Sequence, residues 1–242
     1  MLRIDGRDNK DLRDLTITRD INKYAEGSCQ IQMGDTIVYC TATVEDRVPR
    51  WLLDSQQGWV TADYGMLPRA TKERSLRESK RGYRTGRTQE IERLIGRSLR
   101  AVVDLNALGE RTIQLDCDVL QADGGTRTAA ITAAYVALAQ ACSYLREKNQ
   151  IKSWPLHNQV AAVSVGLVSG ELLLDLCYEE DVRAAVDMNL VMTASGNVVE
   201  LQATAEGAPF TIEQMNGMIA LGREGLSRVF RQQKEALADL NK

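Results

Sequence analysis

Apolar and polar positions alternate over several short stretches of the chain. Ser28 to Met33 and Thr36 to Val44 do so on either side of Gly34-Asp35, which predicts a β-hairpin turning at that dipeptide. A second hairpin is predicted from Ala161 to Val168, turning at Ser169-Gly170 and returning through Leu172 to Tyr178. Trp59 to Tyr64, ending at Gly65, and Val198 to Thr204 read as further strands. Another has Ile113, Leu115, Cys117 and Val119 alternating with Gln114, Asp116 and Asp118. Helical spacing takes over between Thr88 and Asp104, where Ile91, Leu94, Ile95, Leu99, Val102 and Val103 form an apolar stripe. It returns from Thr211 to Leu237, opened by a capping box of Thr211 and Gln214. Gly217, Gly222 and Gly225 lie inside that helix, each costing ~1 kcal/mol relative to Ala. They point either to close backbone packing or to a loose helix. Ala129 to Leu145 is apolar almost throughout and reads as a deeply buried helix.

Each hairpin is eventually followed by a long helix, a faint internal duplication. The expectation is an α+β fold of one domain over residues 1–242. Two similar halves, about 1–150 and 151–242, would each be a mixed β-sheet with helices packed on it.

The run Asp123-Gly124-Gly125-Thr126-Arg127-Thr128 sits where the strand ending near Val119 gives way to the buried helix. The first turn of a helix has unpaired N–H groups and the positive end of the dipole. Glycine lets the backbone approach a ligand closely. With the Arg127 guanidinium and the Thr126 hydroxyl added, the run suits a phosphate-like anion, although a tight turn capped by Thr126 has the same residues.

The remaining chemistry is narrowed by what the chain holds. Its five cysteines, Cys29, Cys40, Cys117, Cys142 and Cys177, contain no CxxC pair, and most sit among apolar neighbours. Buried free thiols and a reducing cytoplasm are expected. The single histidine, His157, lies beside Pro155 in a loop, so schemes built on His have little to work with. Any metal must sit on oxygen ligands, which points to Mg²⁺ or Mn²⁺. Met1 to Arg7 is polar from the start, so no signal peptide is expected. No apolar run approaches the ~20 residues needed to span a bilayer, so no membrane partner is expected.

Asp181 and Asp187 lie six apart, the first reading as the end of one strand and the second as the opening of the next, Met188 to Thr193. A turn of that length can bring two carboxylates together to hold Mg²⁺, or to let one act as general acid. Asp116 and Asp118, sharing one face of their strand, are a rival pair, and Asp123 is a third candidate. The residues alone leave the choice open.

Net charge is −3, but it is unevenly spread. Arg69 to Arg87 carries +6, through Arg69, Lys72, Arg74, Arg77, Lys80, Arg81, Arg84 and Arg87 against Glu73 and Glu78, while the rest of the chain carries −9. A basic band on an acidic body is the footprint of a polyanion partner, although many such runs are only solvated loops. The stretch has Gly82 and Gly86 and no apolar periodicity, and reads as a long mobile loop. Beyond it, Arg93, Arg97 and Arg100 form a ridge that is solvated, faces RNA or builds a subunit contact.

Eight blocks in order resemble the bacterial ribonuclease PH family. They are Arg3-Ile4-Asp5-Gly6-Arg7, Val44 to Pro49, Met66 to Ala70, Gly86-Arg87-Thr88, Arg93 to Arg97, Asp116 to Val119, Gln121 to Thr128 and Val186 to Asn189. The resemblance spans roughly Arg3 to Leu237. It implies a phosphate-dependent 3′→5′ exoribonuclease that trims precursor tRNA and other structured RNA 3′ ends and releases nucleoside diphosphates. It also implies a homohexamer built as a trimer of dimers. By the same resemblance, inorganic phosphate is the co-substrate, held by Arg87, Gly125, Thr126 and Arg127. Asp181 and Asp187 serve catalysis and Mg²⁺ (or Mn²⁺) binding, with Arg127 as a charge stabiliser. Arg69, Lys72, Arg74, Arg77, Lys80, Arg81 and Arg84 grip RNA. Glu92 stands where the family usually has Gln, Gln89 where it usually has Met, and Arg81-Gly82-Tyr83-Arg84 is not the usual loop sequence. Glu92 would weaken anion binding if it pointed inward. A non-catalytic RNA-binding ring subunit of the same fold is the alternative. A small-molecule phosphotransferase with a glycine-rich anion turn would not need the basic band.

Overall fold

The computed structural model describes residues 3–240. In chain order its elements are β1 (Leu15–Arg19), β2 (Gly27–Met33), β3 (Thr36–Glu45), β4 (Trp59–Met66), α1 (Glu78–Arg81), α2 (Gly86–Arg100), α3 (Leu105–Leu108) and β5 (Thr112–Gln121). They continue with α4 (Thr126–Glu147), β6 (Val160–Val168), β7 (Glu171–Leu174), α5 (Tyr178–Asp181), β8 (Val186–Thr193), β9 (Val198–Ala205) and α6 (Ile212–Ala236). The first sheet runs β1-β2-β3-β5-β4 and the second β7-β6-β8-β9. The first is mixed, with β4 parallel to β5, whereas every pairing in the second is antiparallel. The two hairpins are also placed differently. The return strand β3 is the inner partner in the first sheet, and the outgoing strand β6 is the inner partner in the second.

The layers stack as sheet, helix, sheet, helix. Helix α4 lies between the sheets, packed against the buried faces of β2, β3 and β5 on one side and against Val160 and Ala162 of β6 on the other. Helix α6 covers the opposite face of the second sheet, over Val163, Val165 and Leu190. Every residue of β6 is therefore buried, which is why its sequence is an unbroken apolar run rather than an alternation. Alanine in α4 lets the sheets close on it: a side chain at Gly27 of β2 would run into the Ala137 carbonyl. The glycines of α6 serve close packing too. A Cβ at Gly217, Gly222 or Gly225 would come within 2.8, 2.8 and 2.7 Å of Leu172, Leu190 and Leu174 respectively.

Three expectations need correction. Helix α4 is, by length and a mean hydropathy of 1.3, apolar enough to cross a bilayer, contrary to the reading that no run approaches that length. Of its most apolar 18-residue window 94% is buried inside the fold, so its apolarity serves the interior. The return strand of the second hairpin stops at Leu174 and does not reach Tyr178. Asp181 ends a single helical turn, α5, instead of a strand. Asp175, with φ 53°, breaks the strand by turning its buried carboxylate to the backbone N–H and guanidinium of Arg13. All five cysteines are buried free thiols.

Candidate active site

A cleft of about 660 Å³ opens where α4 begins, between the two sheets. Arg87, Gly125, Thr126, Arg127, Asp181 and Asp187 all line it. Four elements bring them: the first turn of α2, the glycine loop with the first turn of α4, α5, and the start of β8.

The glycine loop is shaped by two left-handed residues, Gly124 (φ 72°) and Gly125 (φ 64°). Gly125 is the N-cap of α4, so the unpaired N–H groups of that helix face the cleft. Gly124 is needed for contact as well as for φ. A Cβ there would lie 2.5 Å from the Leu176 carbonyl oxygen and 2.9 Å from the Tyr178 nitrogen. The loop thus abuts the turn carrying Asp181, backbone to backbone. Gly124→Ala is expected to destabilise the fold by about 1–3 kcal/mol, read as a lower denaturation midpoint in urea.

Arg127 is held in place before any ligand arrives. Its Nη1 donates to Gln202 Oε1 (2.7 Å) on β9 and to Glu90 Oε1 (3.1 Å) on α2. Arg87 is exposed on the first turn of α2 and makes no ion pair among the described residues. Tyr64 donates its hydroxyl to Thr126 Oγ1 (2.9 Å) beneath them. Burial pushes the Tyr64 phenol above its ordinary range, only partly offset by that bond and by Arg87 and Arg127.

Burial pushes the Asp181 carboxyl up, and the Asp187 and Glu206 carboxylates push it further, while Arg87 and Arg127 pull it back. The outcome is a carboxyl above its ordinary value, facing a cleft: the condition for a proton donor. The other acidic candidates lie elsewhere. Asp116 and Asp118 are on the outer face of the first sheet, away from α4. Asp123 accepts the N–H of Tyr178 (3.2 Å) and faces Arg13, which makes it a fastener of the loop.

The fasteners behind the cleft carried no sequence signal that assigned them a role. Arg13 is buried, pairs with Asp175 (2.7 Å) and donates to the carbonyl of Asp123. Thr36 Oγ1 donates to the Gly124 carbonyl at 2.7 Å. Arg3, also buried, forks onto both oxygens of Glu180 at 2.8 and 2.6 Å. Burial raises the Glu180 carboxyl, but the Arg3 and Cys177 hydrogen bonds outweigh it and hold it below its ordinary value. A clue does exist in hindsight. Asp175 is a lone charge inside Leu172-Leu173-Leu174-Asp175-Leu176, and a charge embedded in an apolar run is generally paired.

The basic stretch is partly ordered around α1. Glu78 Oε1 accepts from the hydroxyls of Thr85 (2.9 Å) and Thr88 (2.7 Å), tying the stretch to the N-terminus of α2. Its cations divide. Arg74, Arg77, Lys80 and Arg81 point to solvent. Arg69 donates to the Lys72 carbonyl (2.9 Å), and Lys72 approaches Glu179 on the far lip of the cleft at 3.8 Å. Arg84, though exposed, pairs with Asp63 (2.9 Å) and Glu92 (3.0 Å), so Glu92 neutralises Arg84 and does not line the cleft. The helical arginine ridge is likewise divided. Arg97 pairs with Glu200 (2.8 Å), Arg100 stacks on Trp59 and donates to the Val60 carbonyl, and Arg93 is exposed.

Residues 11–143 match the family model described as 3′ exoribonuclease family, domain 1, and residues 158–225 match domain 2 of the same family. A ribonuclease PH of Moorella thermoacetica is 58% identical over 240 residues, covering 99% of this chain and 96% of that protein. Two solved structures share the fold. Rice (Oryza sativa) Rrp46 superposes with a TM-score of 0.78 at 22% identity, covering 97% of this chain and 100% of that one. A chain of the Archaeoglobus fulgidus exosome with RNA bound to the active site gives 0.79 at 21% identity, covering 96% and 92%. The chain belongs to the 3′ exoribonuclease family, as a phosphorolytic member of the ribonuclease PH type.

Proposed function

We propose that this protein trims precursor tRNA and other structured RNA 3′ ends with inorganic phosphate as the attacking group. The observation that carries the reading is the meeting of Arg87, Arg127 and the Gly125–Thr126 helix start with Asp181 and Asp187 in one cleft. No protein nucleophile is required. Phosphate attacks the last phosphodiester, the bond from phosphorus to the 3′ oxygen breaks, and a nucleoside diphosphate leaves. Two anions must approach each other, so the barrier is chiefly electrostatic. Two guanidiniums and oriented amides lower it by holding the attacker and cancelling its charge. The raised carboxyl of Asp181 supplies the proton that the departing 3′ oxygen takes up. In the reverse direction the same carboxylate takes that proton back, so diphosphates in excess should extend the RNA.

Asp187 fits Mg²⁺ or Mn²⁺, which takes one or two carboxylates and fills its remaining positions with water and substrate phosphate, and Asp181 would join it only in its deprotonated form, once its proton has left. Such an ion would supply positive charge beside the scissile phosphate. We further place the protein in the cytoplasm, which its five free thiols suit, as a homohexamer arranged as a trimer of dimers. The exposed Trp51 and Leu53 give it apolar surface for self-association. A non-catalytic RNA-binding subunit would have no use for all six cleft residues.

Incubating the protein with tRNA bearing extra 3′ nucleotides tests the reading. Diphosphates should form only when phosphate is present. Monophosphates, or no products, would sink it. The basic stretch gives a second check. Replacing Arg77, Lys80 and Arg81 with Gln should raise KM for tRNA. Its dependence on log salt should flatten by about 0.7 for each RNA phosphate no longer neutralised. The exposed Lys72–Glu179 pair contributes little to stability, so an RNA phosphate can displace Glu179 from Lys72.

A further inference from the structure

We infer that Tyr178 is the stacking platform for the base of the RNA's 3′-terminal nucleotide, an assignment that rests on the phosphorolytic reading above. Tyr178 is the one aromatic side chain among the described residues lining the cleft, and it is 52% exposed there. A half-exposed aromatic residue on the wall of a cavity offers a ligand an apolar surface. It sits three residues before Asp181 on the same helical turn, and both line the cleft. Val182, one turn further and 66% exposed, extends the same apolar lip. Arg87 and Arg127 line the same cleft, close enough to Asp181 to pull its carboxyl down.

The cleft is therefore divided by chemistry. A nucleotide has an anionic part and a flat apolar part. With the scissile phosphate between the arginines and the Asp181 carboxyl, its base falls on the Tyr178 side. The backbone that carries the ring is also fixed in position. Tyr178 N donates to Asp123 Oδ1 (3.2 Å), the Gly124 backbone abuts it, and Glu180 two residues on is clamped by the buried Arg3. A platform held this way loses little freedom when a base settles on it. Stacking on one ring face accepts any base, which suits an enzyme removing tails of mixed sequence.

Steady-state phosphorolysis of RNAs ending in A, C, G or U tests this. Tyr178→Ala should raise KM for RNA by about 5- to 100-fold with kcat within about threefold of the unaltered protein, as expected for a contact made equally before and during reaction. KM for phosphate and the melting temperature should stay put. The loss should be greater for purine than for pyrimidine ends, because purines stack more strongly. Tyr178→Phe should restore binding, whereas Tyr178→Leu, apolar but not aromatic, should not. An unchanged KM in Tyr178→Ala, equal losses for all four ends, or full rescue by Leu overturns the assignment. So does a Tyr178→Phe variant as weak as Ala, which would place the role in the hydroxyl. Absence of phosphate-dependent products from the unaltered protein in the same assay would instead overturn the phosphorolytic reading itself.

Discussion

Arg127→Ala is expected to lower the rate of phosphorolysis on the order of 10²–10³-fold, with kcat and kcat/KM falling together. The size follows from preorganisation. The guanidinium sits on the first turn of α4, is mostly buried, and is aimed by Gln202 and Glu90 before phosphate binds. Little rearrangement is needed as charge builds on the attacking phosphate, so nearly the full interaction is available in the transition state. Removing it also leaves the Glu90 carboxylate uncompensated beside an anion. Lysine at this position should recover only part of the loss, because it cannot contact Gln202, Glu90 and phosphate through one planar fork. Steady-state rates on a short RNA, measured as released diphosphate, check this. A variant within fivefold of the unaltered protein would remove Arg127 from the mechanism.

Asp181→Asn is expected to lower kcat by about 10²–10⁴-fold, the usual worth of a positioned proton donor. It should also make the fold more stable near neutral pH. The Asp181 carboxyl is raised by burial and then by Asp187, so the folded protein binds its proton more tightly than the unfolded chain does. Such a group contributes fully to stability below its unfolded value of about 3.9, and the contribution is lost as pH rises through the raised folded value. Asparagine has no charge to bury. The difference in melting temperature between the variant and the unaltered protein should therefore be positive at pH 7 and shrink toward zero in acid. The same titration appears in the activity. The rate of the unaltered protein should fall on the alkaline side as Asp181 loses its proton. Asp187→Asn, by removing the neighbouring charge, should move that fall to lower pH. Melting curves across pH with a pH–rate profile measure both, and a destabilised Asp181→Asn variant at pH 7 would contradict the account.

Much of this was legible in the chain. The hairpin turning at Gly34-Asp35 and the capping box at Thr211 and Gln214 lie where their local patterns place them. The two glycines before Thr126 do take the left-handed conformations a phosphate loop needs. Those features depend on neighbours within a few residues. Asp181 was misplaced for the opposite reason. Leu172 to Tyr178 is apolar enough to pass for a strand, and what ends it at Leu174 is Asp175 meeting Arg13, which lies 162 positions earlier. Glu92 could not be aimed from sequence either, because its partner Arg84 reaches it across the surface from the basic stretch. Asp116 and Asp118 looked as promising as Asp181 and Asp187 until the sheet turned them to its outer face.

The sequence by itself determined the three long helices, most of the strands, the glycine turn before α4 and the basic band. Each is written in spacing, capping or composition over a short stretch. Only the tertiary structure decided which aspartates face the arginines, which cations remain in solvent, and that Tyr178 stands beside Asp181. Those outcomes depend on how two sheets close around the Ala-rich helix α4, and distances set by packing across the interior leave no periodic trace in the chain.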